Sequence, residues 1–172
     1  MFGDEFMTKL AQTPDPRITW PTEQAPASAM VFAQNVIDVA ATPGAVWSQL
    51  IDCVRWPQWY KYCSDVSMLR GGSQLSAGSK FRFKTLDRYF EPEVLTFVPE
   101  QMLVWKAEDP AGTSGAHAWL IEPRPDGCRV TTEESQIGWF LFFLRARTRG
   151  RLLESHEEWL RALKERAEPI RD

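Results

Sequence analysis

The sequence predicts an α+β domain, an antiparallel sheet with helices at both of its ends. Three observations predict it. Seven segments read as strands, and six of them follow one another through short turns, which only antiparallel pairing allows. Two short helical segments separate the first strand from that run. The chain then closes on one long amphipathic helix, residues 140–168, whose broad apolar face needs a sheet to lie in.

The elements follow in order. Residues 1–29 stand apart as an arm. Residues 2–10 suit one short helix, and Pro14, Pro16, Pro21 and Pro26 then forbid regular structure. The arm is read as packed over the domain or partly loose, with residues 1–27 dispensable for folding because no strand partner is identifiable. The domain itself spans residues 30–168, followed by a tail at 169–172. Residues 30–40, rich in Val and Ile, form the first strand. Thr42-Pro43 supplies an N-cap with proline at the first helical position, opening a helix over 43–54 that buries Val46, Trp47, Leu50 and Ile51. A second short helix covers 57–62, with Trp56 and Trp59 about its start.

Strand 65–69 runs into a Gly71-Gly72 turn. In strand 80–86, Phe81 and Phe83 alternate with Arg82 and Lys84, the period of a half-buried strand. Strand 93–98 ends at Pro99, and 102–107 follows. Strands 116–122 and 128–135 are joined through Pro125-Asp126-Gly127, a hairpin signal. The long helix then collects Leu141, Leu152, Leu153, Trp159, Leu160 and Leu163 on one side. Arg147, Arg151, Glu154, Glu157, Glu158, Arg161 and Glu165 fall on the other. Arg145, Arg149 and His156 break into the apolar stripe.

Composition narrows the function. The chain has 172 residues, 44% of them hydrophobic, enough for one domain with a core. A net charge of -3 gives no reason to expect nucleic acid. The cysteines are Cys53, Cys63 and Cys128; an odd number without a C-x-x-C suits a reducing cytosol, so a cytoplasmic location is expected. The histidines are His117 and His156, and no local spacing supports a zinc site. Neither G-x-G-x-x-G nor G-x-S-x-G occurs, so no cofactor and no metal are expected. No signal peptide opens the chain, and the apolar run 139–144 is too short to span a bilayer. Eight Trp serve either the core or the wall of a ligand cavity.

The ordered run Ala40-Ala41-Thr42-Pro43, Val46-Trp47, Leu50, Asp52, Trp56-Pro57 and Trp59 resembles the opening of the START-like superfamily, the helix-grip fold also called SRPBCC. Gly78-Ser79 with Phe81 and Phe83, then Pro99, Leu103 and Trp105, continue the likeness. So do Asp126-Gly127 with Val130-Thr131, and Trp159-Leu160 with Leu163-Lys164 and Glu168. The likeness covers residues 30–168 and is greatest to the polyketide cyclase/dehydrase branch. It implies a curved seven-stranded antiparallel sheet gripping the last helix, with an elongated apolar cavity between them. It implies a hydrophobic small-molecule partner (lipid, aromatic or polyketide-like) and, in some members, cyclisation or dehydration. No shared catalytic motif can be carried over.

Candidate site residues come from the two cavity-facing elements. If Glu122 opposes Cys128, then Ala116, Ala118, Leu120, Val130, Thr132 and Glu134 share one face, and His117, Trp119, Ile121, Arg129, Thr131 and Glu133 the other. The first face, with its small residues, reads as the cavity wall. On the helix, Arg149, Leu152, Leu153, His156 and Trp159 face inward. With Trp47, Trp59, Phe83 and Trp105 they complete the candidate ligand-binding set. His156 and Glu134 are the catalytic candidates, an imidazole general base with a carboxylate partner. Three functions stay open: a ligand binder with cyclase- or dehydratase-type acid–base chemistry, a lipid or isoprenoid carrier with transient membrane contact, and a non-enzymatic regulatory module. Oligomeric state is not legible.

Overall fold

The computed structural model describes residues 12–109, 112–139 and 141–169, so the short helix expected over 2–10 lies outside the described residues. After the arm come β1 (Val31–Val39), α1 (Pro43–Ile51), a 3-10 helix (Cys53–Gln58), β2 (Cys63–Arg70) and β3 (Lys80–Thr85). Then follow β4 (Arg88–Phe90), β5 (Glu93–Val98), β6 (Met102–Asp109), β7 (Thr113–Arg124), β8 (Gly127–Ile137) and α2 (Leu141–Ala167).

Local chemistry sets most boundaries. Thr42 caps α1: its Oγ1 accepts the Ala45 N–H at 3.2 Å, and Pro43 fills the first turn. The second helix falls earlier than expected and is 3-10, with Pro57 near its end. β4 is an additional strand. It pairs with β3 across a two-residue turn in which Leu86 and Asp87 both have positive φ, 48° and 67°. Such turns normally announce themselves by Asn or Gly, and this one carries neither.

The strands form one antiparallel sheet in the order β1-β8-β7-β6-β5-β3-β2, with β4 beside β3. The β1–β8 pairing joins the first strand to the last. Breaks in register between Ser64 and Ser67, Met68 and Arg70, and Val94 and Thr96 add local bend and twist of the kind that curves a sheet. Together with α2 this makes the helix-grip arrangement.

The main core lies between the sheet's inner face and α1, the 3-10 helix and the C-terminal half of α2. Trp56 is its hub. The fully buried ring meets Trp159 at 5.0 Å, Phe81 at 5.7 Å, Trp105 at 5.8 Å and Phe83 at 5.9 Å between centroids, and its Nε1–H donates to the Leu50 carbonyl. Offset and edge-on contacts of this kind add to the area each ring buries.

The arm, from residue 12 onward, covers the opposite face. Ile18 is buried against Val104, Ala118 and Leu120, with Trp20 and Met102 at the edge. Gln24 is buried and donates to Ser114 Oγ at 2.5 Å. The Asp15 N–H donates to Glu133 Oε1 at 2.7 Å, and Arg17 bridges Asp15 and Glu122. The expectation that residues 1–27 are dispensable is therefore revised. The prolines exclude strands but not packing, and each large apolar side chain buried contributes about 1.5–3 kcal/mol.

Candidate functional site: a cavity with a His–Glu–His inner wall

A cavity of about 300 Å³ lies between the sheet's inner face and the N-terminal half of α2. Phe83, Trp105, Leu152 and Trp159 form its buried apolar wall. The rim is exposed. Leu86 and Arg88 come from the β3–β4 turn, and Leu144, Arg147 and Arg151 from α2. Leu86 at positive φ carries roughly 1–2 kcal/mol of backbone strain, which sets an apolar side chain at the rim.

The polar inner wall depends on the β7–β8 register. Pro125 and Asp126 form the turn, with Arg124 opposite Gly127, so Glu122 opposes Arg129 rather than Cys128. Gly127 makes this tight closure possible. Its φ is 143°, and a Cβ there would lie 2.0 Å from the Val39 carbonyl oxygen. A slip of one residue reverses one strand's faces relative to the other. Ala118 and Leu120 consequently turn outward beneath the arm, while His117 and Trp119 turn inward beside Thr132 and Glu134.

His117 and Glu134 are thus direct cross-strand partners, and α2 lays His156 over them. His156 Nε2 lies 3.2 Å from Glu134 Oε2, and His117 Nδ1 lies 3.5 Å from the same oxygen. His117 Nε2 pairs with Thr132 Oγ1 at 2.6 Å, and the Gln136 amide donates to Glu134 Oε1 at 2.5 Å. The imidazoles sit 4.8 Å apart, and His117 stacks on Trp119 at 5.2 Å. Burial drives His117 down to about 3, so this ring is neutral at neutral pH. Burial also pushes the Glu134 carboxyl up, but the hydrogen bonds from His156 and from the Gln136 amide outweigh it. Glu134 is held below its usual range and stays ionised. Nearby, Tyr60 stacks on Trp159 at 4.4 Å, and its hydroxyl pairs with the cavity-lining Ser155 at 2.6 Å.

Of the residues expected in the site, Phe83, Trp105, Glu134, Leu152, His156 and Trp159 line the cavity. The others do not. Thr132 lies behind His117 and orients it. Trp47 packs on Phe97 in the main core, and Trp59 packs against the same core. Ala118 and Leu120 face outward for the reason of register. Leu153 packs toward Val31 and Ala33, and its carbonyl accepts from Asn35. Arg149 turns to β1, where it donates to the Phe32 carbonyl at 2.9 Å and to Gln12 Oε1 at 3.1 Å. The arginines that α2 brings to the rim are Arg147 and Arg151, which helical phase places on the outer side. The first turns of α2 lie over the β1 edge, so the stripe continuous with the apolar face looks away from the cavity. The sequence pattern does not point to His117, because it assigns the cavity wall to the face with the small residues. The face richer in large apolar residues, with Trp119 and Ile121, was the better signal for burial.

Curved sheet, gripped helix and apolar cavity together define a helix-grip domain with an internal space of ligand size. The chain belongs to the polyketide cyclase/dehydrase and lipid transport family, whose sequence profile matches residues 39–157. Among solved structures, a hypothetical protein of Helicobacter pylori superposes with a TM-score of 0.81 at 26% identity, covering 92% of this chain and 100% of that chain. The di-domain ARO/CYC BexL of the BE-7585A biosynthetic pathway superposes at 0.67 with 18% identity, over 81% of this chain and 50% of that chain. The di-domain ARO/CYC StfQ of the steffimycin biosynthetic pathway superposes at 0.66 with 17% identity, over 80% and 50%. At such identities the two di-domain proteins show the shared fold. No curated protein matches the sequence. Family membership and the cavity support a role in binding a hydrophobic small molecule. Among the described residues, no helix is long and apolar enough to cross a membrane.

Proposed function

We propose that this protein binds an aromatic or polyketide-like molecule in the cavity and places one of its oxygen functions at His117, Glu134 and His156. The observation that carries this reading is the joining of an aromatic wall to one polar group of buried imidazoles and an ionised carboxylate. Apolar surface supplies affinity, and a few convergent polar atoms supply orientation. The family's description and the ARO/CYC relatives favour the same ligand class.

The group also suits dehydration. Glu134 can take a proton from the carbon beside a ligand carbonyl, and the Glu134–His156 pair can return that proton to a departing hydroxyl, releasing water. Neutral His117 can donate from Nδ1 to the ligand carbonyl when the Thr132 hydroxyl donates to Nε2. His156→Leu tests the polar contact. Naphthalene, followed by quenching of tryptophan fluorescence, should bind the variant as it binds the wild type. A dihydroxynaphthalene should weaken about tenfold or more. Equal affinities of wild type and variant for both probes would remove the polar group from the site.

A second reading, a lipid carrier that touches membranes, is favoured by Trp139 and Phe143. They are 74% and 76% exposed, close in sequence to rim residues Leu144 and Arg147. Co-sedimentation with anionic liposomes, abolished by Trp139→Ala with Phe143→Ala, would support it. Absence of co-sedimentation would reject it.

A further inference from the structure

We propose that His117, Glu134 and His156 bind one divalent first-row transition-metal ion, with its open coordination positions facing the cavity. Two imidazoles and one carboxylate form a donor set used by catalytic zinc and by non-haem iron sites. The spacing suits an ion. Zinc bonds of about 2.0–2.1 Å in tetrahedral geometry separate neighbouring donor atoms by about 3.4 Å. Here the Glu134 oxygen lies 3.2 Å from one imidazole nitrogen and 3.5 Å from the other. One donor atom from each of the three residues lies within 4.8 Å of the others.

The supports are also those of a metal site. The chain has two histidines, and both are here. Cross-strand pairing fixes His117 and Glu134 relative to each other, while buried packing of α2 fixes His156. The nitrogen of His117 away from the carboxylate pairs with Thr132 Oγ1, and the Glu134 oxygen not shared by the two imidazoles accepts from Gln136. Such outer partners orient ligands and sharpen their basicity. The three donors come from β7, β8 and α2, so no local motif in the sequence betrays them. All three residues line the cavity, so a water or a ligand oxygen can complete the coordination. That last point rests on the proposed cavity function; ion binding itself does not, and an ion held there would take the place of the His117 Nδ1–H at the ligand oxygen.

The test uses the full chain stripped with EDTA and titrated with Co²⁺. The expected result is one ion per chain, the visible absorption of low-coordinate Co²⁺, and displacement by Zn²⁺. Glu134→Gln and His117→Gln should each weaken Co²⁺ binding about a hundredfold or more, and Thr132→Val about tenfold. Circular dichroism of each variant confirms folding. No Co²⁺ absorption in the wild type would overturn the proposal without any variant, as would equal binding by folded Glu134→Gln. Naphthalene binding, measured in parallel, separates the two readings. If naphthalene binds and Co²⁺ does not, the metal site falls and the cavity function stands. The reverse result leaves the metal site and removes the hydrophobic ligand.

Discussion

Acidification should destabilise this protein through His117, by an amount the structure sets. In the unfolded chain the ring titrates near 6.5, and in its buried place at about 3. The unfolded state therefore takes up a proton first as pH falls. Stability begins to drop near 6.5 and continues to drop until about 3, below which both states are protonated. At about 1.4 kcal/mol per pH unit, the loss between roughly pH 7 and pH 5 is about 2 kcal/mol. Other groups titrate in the same range, so the measurement is a difference. His117→Gln keeps a polar side chain beside Thr132 but cannot titrate. Urea unfolding of both proteins, read by tryptophan fluorescence in EDTA, should give curves whose free energies converge as pH falls. The variant starts less stable at neutral pH and loses about 2 kcal/mol less by pH 5. Parallel pH profiles would refute the reasoning, since they would show that the ring is solvated or charged in the folded state.

Two further perturbations test packing. Trp47→Ala should cost about 3–5 kcal/mol, because the buried ring packs edge-on against Phe97 at 5.0 Å and its loss leaves a cavity in the core. A shift in the urea midpoint worth under about 1 kcal/mol would contradict that burial. Removal of residues 1–29 should lower the melting temperature by about 10 °C or more, because it uncovers Val104, Ala118 and Leu120 and takes the Asp15 N–H from Glu133. A change of only a few degrees would show that the arm contributes little to folding.

The chain's local chemistry determines its elements, and these were legible in the sequence. Thr42-Pro43 starts a helix wherever it lies, alternation of Phe81 and Phe83 with charges makes a strand, and Pro125-Asp126-Gly127 turns the chain. These depend on neighbours a few residues apart, so sequence order carries them. The same holds for the cavity-lining part of α2: Leu152, His156 and Trp159 share a face by helical period, and all three line the cavity. The β3–β4 turn is the exception among local features. Leu86 and Asp87 adopt a conformation that their own preferences disfavour, and only the surrounding sheet holds it.

What the sequence left open, tertiary structure decided. A one-residue choice of register between β7 and β8 exchanges Ala118 and Leu120 for His117 and Trp119 on the inner face. Both registers satisfy the alternation, so pattern alone cannot choose. Close contact of Gly127 with the Val39 carbonyl, and the arm's demand for an apolar outer face, favour the register adopted. The tilt of α2 over β1 likewise decides that Arg147 and Arg151, rather than Arg149, reach the rim. The meeting of His117, Glu134 and His156 needs both decisions at once. Helical period and strand alternation order side chains only within an element, whereas this site is made by the distances between three elements.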